Sequence, residues 1–85
     1  MQKLSYRKMP FEDLIVLSQQ DDFKALEELI KREQKNIYTA LMYLSGNKDN
    51  VYDLTQEVLF KISKNIKSLA NPKSFKSWSN QIATN

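Results

Sequence analysis

Apolar residues recur along this chain at three- and four-residue steps, the period of helices with one buried face, in four successive segments. From about Met9 to Gln19 the stripe is Phe11, Leu14, Ile15 and Val16 or Leu17. Pro10 suits the first turn there, where its missing N–H costs nothing. Asp21 or Asp22 can cap a second helix by accepting from its free N–H groups. That helix is long, because Phe23, Leu26, Leu29, Ile30, Ile37, Leu41 and Leu44 keep the period as far as Gly46. Gly46 is the only glycine and stands where a C-cap needs a left-handed backbone. With Asn47, Asp49 or Asn50 as its cap, a third helix carries Val51, Leu54, Val58, Ile62, Ile66 and Leu69. It is expected to end near Leu69, since Asn71 precedes Pro72 and the residue before a proline avoids the α region. Ser74 then caps a fourth helix whose Phe75, Trp78 and Ile82 share one face, placed as core. The pattern predicts an all-α fold, a compact bundle of about four helices forming a single domain over residues 1–85.

Composition narrows the chemistry. With no cysteine there are no disulfides, thiolate metal sites or cysteine nucleophiles, and with no histidine the commonest general base and metal ligand are missing. Serines stand beside no recognisable base, and no glycine-rich phosphate loop exists. The acids Asp21/Asp22, Glu27/Glu28 and Asp53/Glu57 read as solvated groups paired with lysines on exposed helical faces. The chain is therefore not expected to be an enzyme, and neither cofactor nor metal is expected. The longest apolar run, Leu14 to Leu17, is far short of the ~20 residues of a membrane span, and no apolar signal core follows Lys3, Arg7 and Lys8. The sequence reads as a cytoplasmic protein without a membrane partner.

Charge is distributed unevenly. Residues 1–57 carry eight Lys/Arg against ten Asp/Glu, whereas residues 58–85 carry Lys61, Lys64, Lys67, Lys73 and Lys76 and no acid. Such asymmetry suits either a polyanion or acidic partner at the C-terminal end, or a simple solvated lysine face. In the third helix, Asp53, Gln56, Glu57, Phe60, Lys64 and Lys67 fall opposite the apolar stripe. An aromatic anchor rimmed by charge is the chemistry of a protein-binding surface. From spacing alone, the reading slightly preferred is the plainer one, a small bundle that buries Phe60 against its first helix.

The run Asp53-Leu54-Thr55-Gln56-Glu57-Val58-Leu59-Phe60-Lys61 resembles the second conserved region of bacterial RNA polymerase sigma factors. Ser74 to Asn85, with Phe75, Trp78, Ile82, Ala83 and Asn85, is similar to the Phe-x-x-Trp and Ile-Ala-x-Asn run of the extracytoplasmic-function group. Asp22 to Leu29 resembles that group's opening helix, and Ile37-Tyr38 falls where Val-Tyr is frequent. The likeness spans about Phe11 to Asn85 and implies the region 2 domain of a longer sigma factor, with the second promoter-binding domain absent from this chain.

The resemblance implies two partners. Asp53, Gln56, Glu57 and Phe60 match residues that dock on the clamp coiled coil of the polymerase's largest subunit. The loop from about Asn65 to Ser74, with the start of the fourth helix, matches the part that holds the non-template strand of the promoter minus-ten element as single-stranded DNA. Lys67, Lys73 and Lys76 suit a groove that tracks phosphates. Leu69 matches the position that walls a flipped base, and Asn85 the amide that reads its edge. Ser79 and Gln81 stand where the family usually has Leu and Arg, so Gln81 replaces one DNA-backbone cation by an amide. An anti-sigma factor is a further partner consistent with the family. The alternative from another class is an interaction-only helical domain that binds a regulatory protein and never touches DNA.

Overall fold

The computed structural model describes residues 5–46 and 48–84. Its α-helices are α1 (Phe11–Gln19), α2 (Phe23–Ser45), α3 (Lys48–Asn65) and α4 (Phe75–Thr84). Short 3-10 turns at Tyr6–Lys8, Ile66–Ser68 and Pro72–Ser74 precede or join them, and no strand occurs among the described residues.

The helix ends follow local capping chemistry. Pro10 is the residue before α1, with ψ 146°, so the helix starts at Phe11 rather than Met9. Asp22, not Asp21, caps α2 by accepting from the Ala25 N–H at 3.1 Å. Asp21 instead takes a left-handed backbone with φ 67°, which short polar side chains tolerate better than most. Gly46 closes α2 with φ 67°, a conformation with no steric penalty for glycine. Asn47, one of the expected caps of α3, lies outside the described residues, and α3 already includes Asp49 and Asn50.

Two boundaries differ from expectation. The α-helical part of α3 stops at Asn65, and the chain tightens into the Ile66–Ser68 turn before reaching Leu69. Ser68 Oγ donates to the Asn65 carbonyl at 2.7 Å, and the Leu69 N–H reaches only to Ile66, so the last turn is 3-10 in type. Before α4, a 3-10 turn at Pro72–Ser74 is capped by Asn71, and Ser74 is the last residue of that turn. Asn71 is held extended (φ −130°, ψ 115°) before Pro72, and its Oδ1 accepts the Lys73 N–H at 3.0 Å. The turn it starts runs directly into α4.

The core draws on every helix: Leu14 and Ile15 from α1, Ala25, Leu29 and Ile37 from α2, Val58, Leu59 and Ile62 from α3, and Phe75 from α4. Each fully buried Leu or Ile removes enough apolar surface to favour folding by about 1.5–3 kcal/mol. Phe75 meets Phe11 edge-to-face at 5.1 Å between ring centroids and Trp78 at 5.7 Å, which ties α4 to α1. Trp78 and Ile82 are partly buried against this core. Thr55 and Ser18 are buried, and their hydroxyls donate to the carbonyls of Val51 at 2.7 Å and Leu14 at 2.6 Å, four residues back. The N-terminal turn is stitched to α2 by Arg32, whose Nη2 donates to the carbonyls of Tyr6 and Arg7.

Three expected core positions face solvent. Phe23 and Leu44 sit at the two ends of α2, beyond the reach of the other helices, and Leu54 lies at the edge of the α3 stripe. The buried face of α3 is instead centred on Val51, Thr55, Val58, Leu59 and Ile62.

Candidate functional site

Rotating α3 so that Val51, Thr55, Leu59 and Ile62 face inward carries Asp53, Gln56, Glu57 and Phe60 outward, and all four are exposed. Phe60 retains 65% of its surface in solvent, so it is not packed against α1. An aromatic ring left in water on a helix otherwise well packed is an anchor awaiting a partner or a plain surface residue. Its neighbours on this face are charged: Asp53 and Glu57 precede it by seven and three residues, and Lys64 Nζ stands 5.9 Å from its ring centroid. The face thus passes from acid through aromatic to base within three helical turns.

The base-rich end leads into the 66–74 segment. Lys67 lies on the 3-10 turn, Lys73 on the turn before α4 and Lys76 in the first turn of α4, all with exposed side chains. They are not equivalent. Lys67 Nζ pairs with Asp21 Oδ1 at 2.6 Å, an exposed contact. Lys76 stands near the buried carboxyl of Glu33 on α2 and favours its charged form. Among the described residues Lys73 has no acidic partner; its backbone N–H is engaged by Asn71.

Leu69, expected beside a base, is 5% exposed, and its side chain is part of the hydrophobic core. Its carbonyl accepts from Gln19 Nε2 at 2.8 Å, and the same amide donates to the Ile66 carbonyl at 2.9 Å. Gln81 is exposed on α4, and Asn85 lies outside the described residues.

Glu33 is a buried acid on the apolar face of α2, four residues from both Leu29 and Ile37. Burial pushes its carboxyl above the ordinary value, while the hydrogen bond from Asn36 at 3.2 Å and the charge of Lys76 act the other way. It borders a cleft of about 1350 Å³ between α2 and α4, lined also by Ile37, Leu41, Phe75 and Ala83. Of the described residues expected to bind a partner, the cleft touches Lys76 alone. Among the described residues no group of acids is placed to hold a metal ion, and no helix is long and apolar enough to cross a membrane.

Residues 29–85 match the family model of sigma-70 region 2. The chain belongs to the sigma-70 region 2 family. It is also 30% identical over 59 residues to the ECF RNA polymerase sigma factor SigE of Mycolicibacterium smegmatis, a stretch that is 69% of this chain and 23% of that protein. The chain thus spans less than a quarter of the curated relative it matches. No solved structure matches it. Sigma region 2 domains are regulators without enzymatic activity, and the all-α architecture fits the family.

Gln19 and Asp21 both lie ahead of the sigma region 2 match, and sequence reasoning assigned neither to the loop. No local pattern marks them, since Gln19 reaches residues 47 and 50 positions away.

Proposed function

We propose that this sigma region 2 domain serves transcription initiation in the cytoplasm by joining two surfaces. One is the α3 face of Asp53, Gln56, Glu57 and Phe60, which docks on the clamp coiled coil of RNA polymerase. The other is the 66–74 segment with the start of α4, which holds the non-template strand of the promoter minus-ten element as single-stranded DNA. The observation that carries the reading is the exposure of Phe60 on the same outer face of α3 as Asp53, Gln56 and Glu57, opposite the buried stripe of Val51, Thr55, Leu59 and Ile62. Carboxylates orient a basic partner and speed encounter, and a desolvated ring supplies contact area. Lys64 and Lys67 continue the same helix and turn into the strand-holding segment, so one rigid element links both partners.

Catalysis belongs to the polymerase, and this domain supplies recognition and melting. Lys73, with no acid beside it, is the strongest phosphate contact of the three loop lysines, while Gln81 supplies a neutral donor farther along α4. Base-edge readout falls to Asn85 of the matching motif, while Leu69, largely buried, anchors the start of the loop in the core. The test is retention on polymerase core: the wild-type chain binds, and Asp53→Arg, which reverses one exposed charge, does not. Retention of Asp53→Arg at wild-type level would remove the docking face. A domain that binds only a regulatory protein, such as an anti-sigma factor, would bind neither polymerase clamp nor DNA in this assay and its oligonucleotide counterpart.

A further inference from the structure

The corner between α1 and α2 bonds directly to the 66–74 segment. Gln19 spends both N–H bonds of its amide there, one on the Ile66 carbonyl at 2.9 Å and one on the Leu69 carbonyl at 2.8 Å. These two carbonyls bracket Lys67 and Ser68 and stand at the point where the chain leaves the helix. Two residues on, Asp21 takes its left-handed backbone and places Oδ1 2.6 Å from Lys67 Nζ. Both partners of that ion pair are mostly exposed, at 60% and 64% of side-chain surface, so solvent weakens it. A carboxylate therefore stands where a phosphate oxygen would otherwise be held.

We infer that this corner is a positioning device for nucleic-acid recognition. Gln19 fixes the entry to the loop and so sets base preference, while Asp21 occupies Lys67 until a strand phosphate displaces it. The inference rests on the reading of the 66–74 segment as a single-strand site. Gln19 touches no strand itself. It acts through the direction of two backbone carbonyls, and hence through the course of residues 67–71. Asp21 acts on every sequence alike, because a phosphate carries no base identity.

The two residues make opposite predictions, which general loss of stability does not mimic. The assay is a binding panel with the full chain and a single-stranded minus-ten oligonucleotide in which one base is varied through all four identities. For Gln19→Met, which keeps the side-chain length and removes both donors, the spread between best and worst base should shrink about fivefold. Affinity for the worst base should stay within about twofold of the wild type. For Asp21→Asn, which tolerates the same backbone, affinity for all four should rise about two- to fivefold with the spread unchanged. Its log–log salt dependence should also steepen, by up to about 0.7, because no displaced carboxylate is left to take up a cation as the phosphate arrives. A wild-type spread in Gln19→Met overturns the role of Gln19 and leaves the strand site standing. An Asp21→Asn affinity at or below wild type, with an unchanged slope, overturns the role of Asp21. A wild type that shows no spread removes the strand-site reading and the inference with it.

Discussion

The side-chain amide of Gln19 and the carbonyl of Leu69 meet at 2.8 Å across fifty residues of sequence. This bond ties the end of α1 to the point where the chain leaves the Ile66–Ser68 turn. With the core packing of Leu69 itself, it makes the start of the loop part of the folded scaffold. The loop's variable portion is then the short stretch from Ala70 to Ser74, ending in the Asn71 cap of the turn into α4.

Phe60→Ala should abolish retention on polymerase core yet shift the unfolding midpoint little, because a side chain 65% in solvent contributes about 0.5 kcal/mol or less to folding. Paired pull-down and thermal unfolding measurements check this. A loss of several degrees in the midpoint would mean that Phe60 packs against the domain and that the docking face is misassigned.

Glu33 gives the domain a pH-dependent weakness. Its folded carboxyl holds a proton more tightly than in the unfolded chain, chiefly through burial, so the folded state binds more protons. Stability is accordingly greatest below the ordinary glutamate range and falls as pH rises through the raised folded value. Asn36 and Lys76 moderate the loss without reversing it. Glu33→Gln keeps an acceptor for Asn36 and removes the buried charge. It should raise the melting temperature by a few degrees at neutral pH, with the gain vanishing in acid. A gain that persists unchanged in acid would contradict the burial argument.

The three loop lysines should differ in salt dependence. Lys73→Ala should flatten the log–log slope of single-stranded DNA binding by about 0.7, the full value for one phosphate contact. Lys67→Ala should flatten it less, because Asp21 already neutralises part of its charge. Titrations at several salt concentrations decide this, and equal effects would contradict the ion-pair difference.

Much of this architecture is legible in the sequence. The helical period places Leu14, Leu29, Val58, Ile62 and Phe75 in the core, and single residues with strong backbone preferences, Gly46 and Asp22, mark the ends of α2. The α3 face is legible too, since a wheel needs only local spacing to put Phe60 beside Asp53 and Glu57. What local spacing misses is set by contacts between helices. Leu69 lies on the apolar stripe by spacing and in the loop by resemblance, and packing decides for the core; Glu33 holds a buried place between Leu29 and Ile37 that its charge alone would put in solvent. Phe23 and Leu44 fail for the converse reason: they keep the period of α2 where no neighbouring helix is left to cover them. The Gln19 and Asp21 contacts carry no periodic signal at all, because each depends on the position of a turn more than forty residues away.

The most direct measurement is the affinity of this chain for a single-stranded minus-ten oligonucleotide against a scrambled strand of equal length and composition. The account predicts tighter binding to the minus-ten strand, with both affinities weakening as salt rises, since phosphate contacts are shared and base-edge contacts are not. Equal affinity for the two strands, or binding that ignores salt, would contradict it.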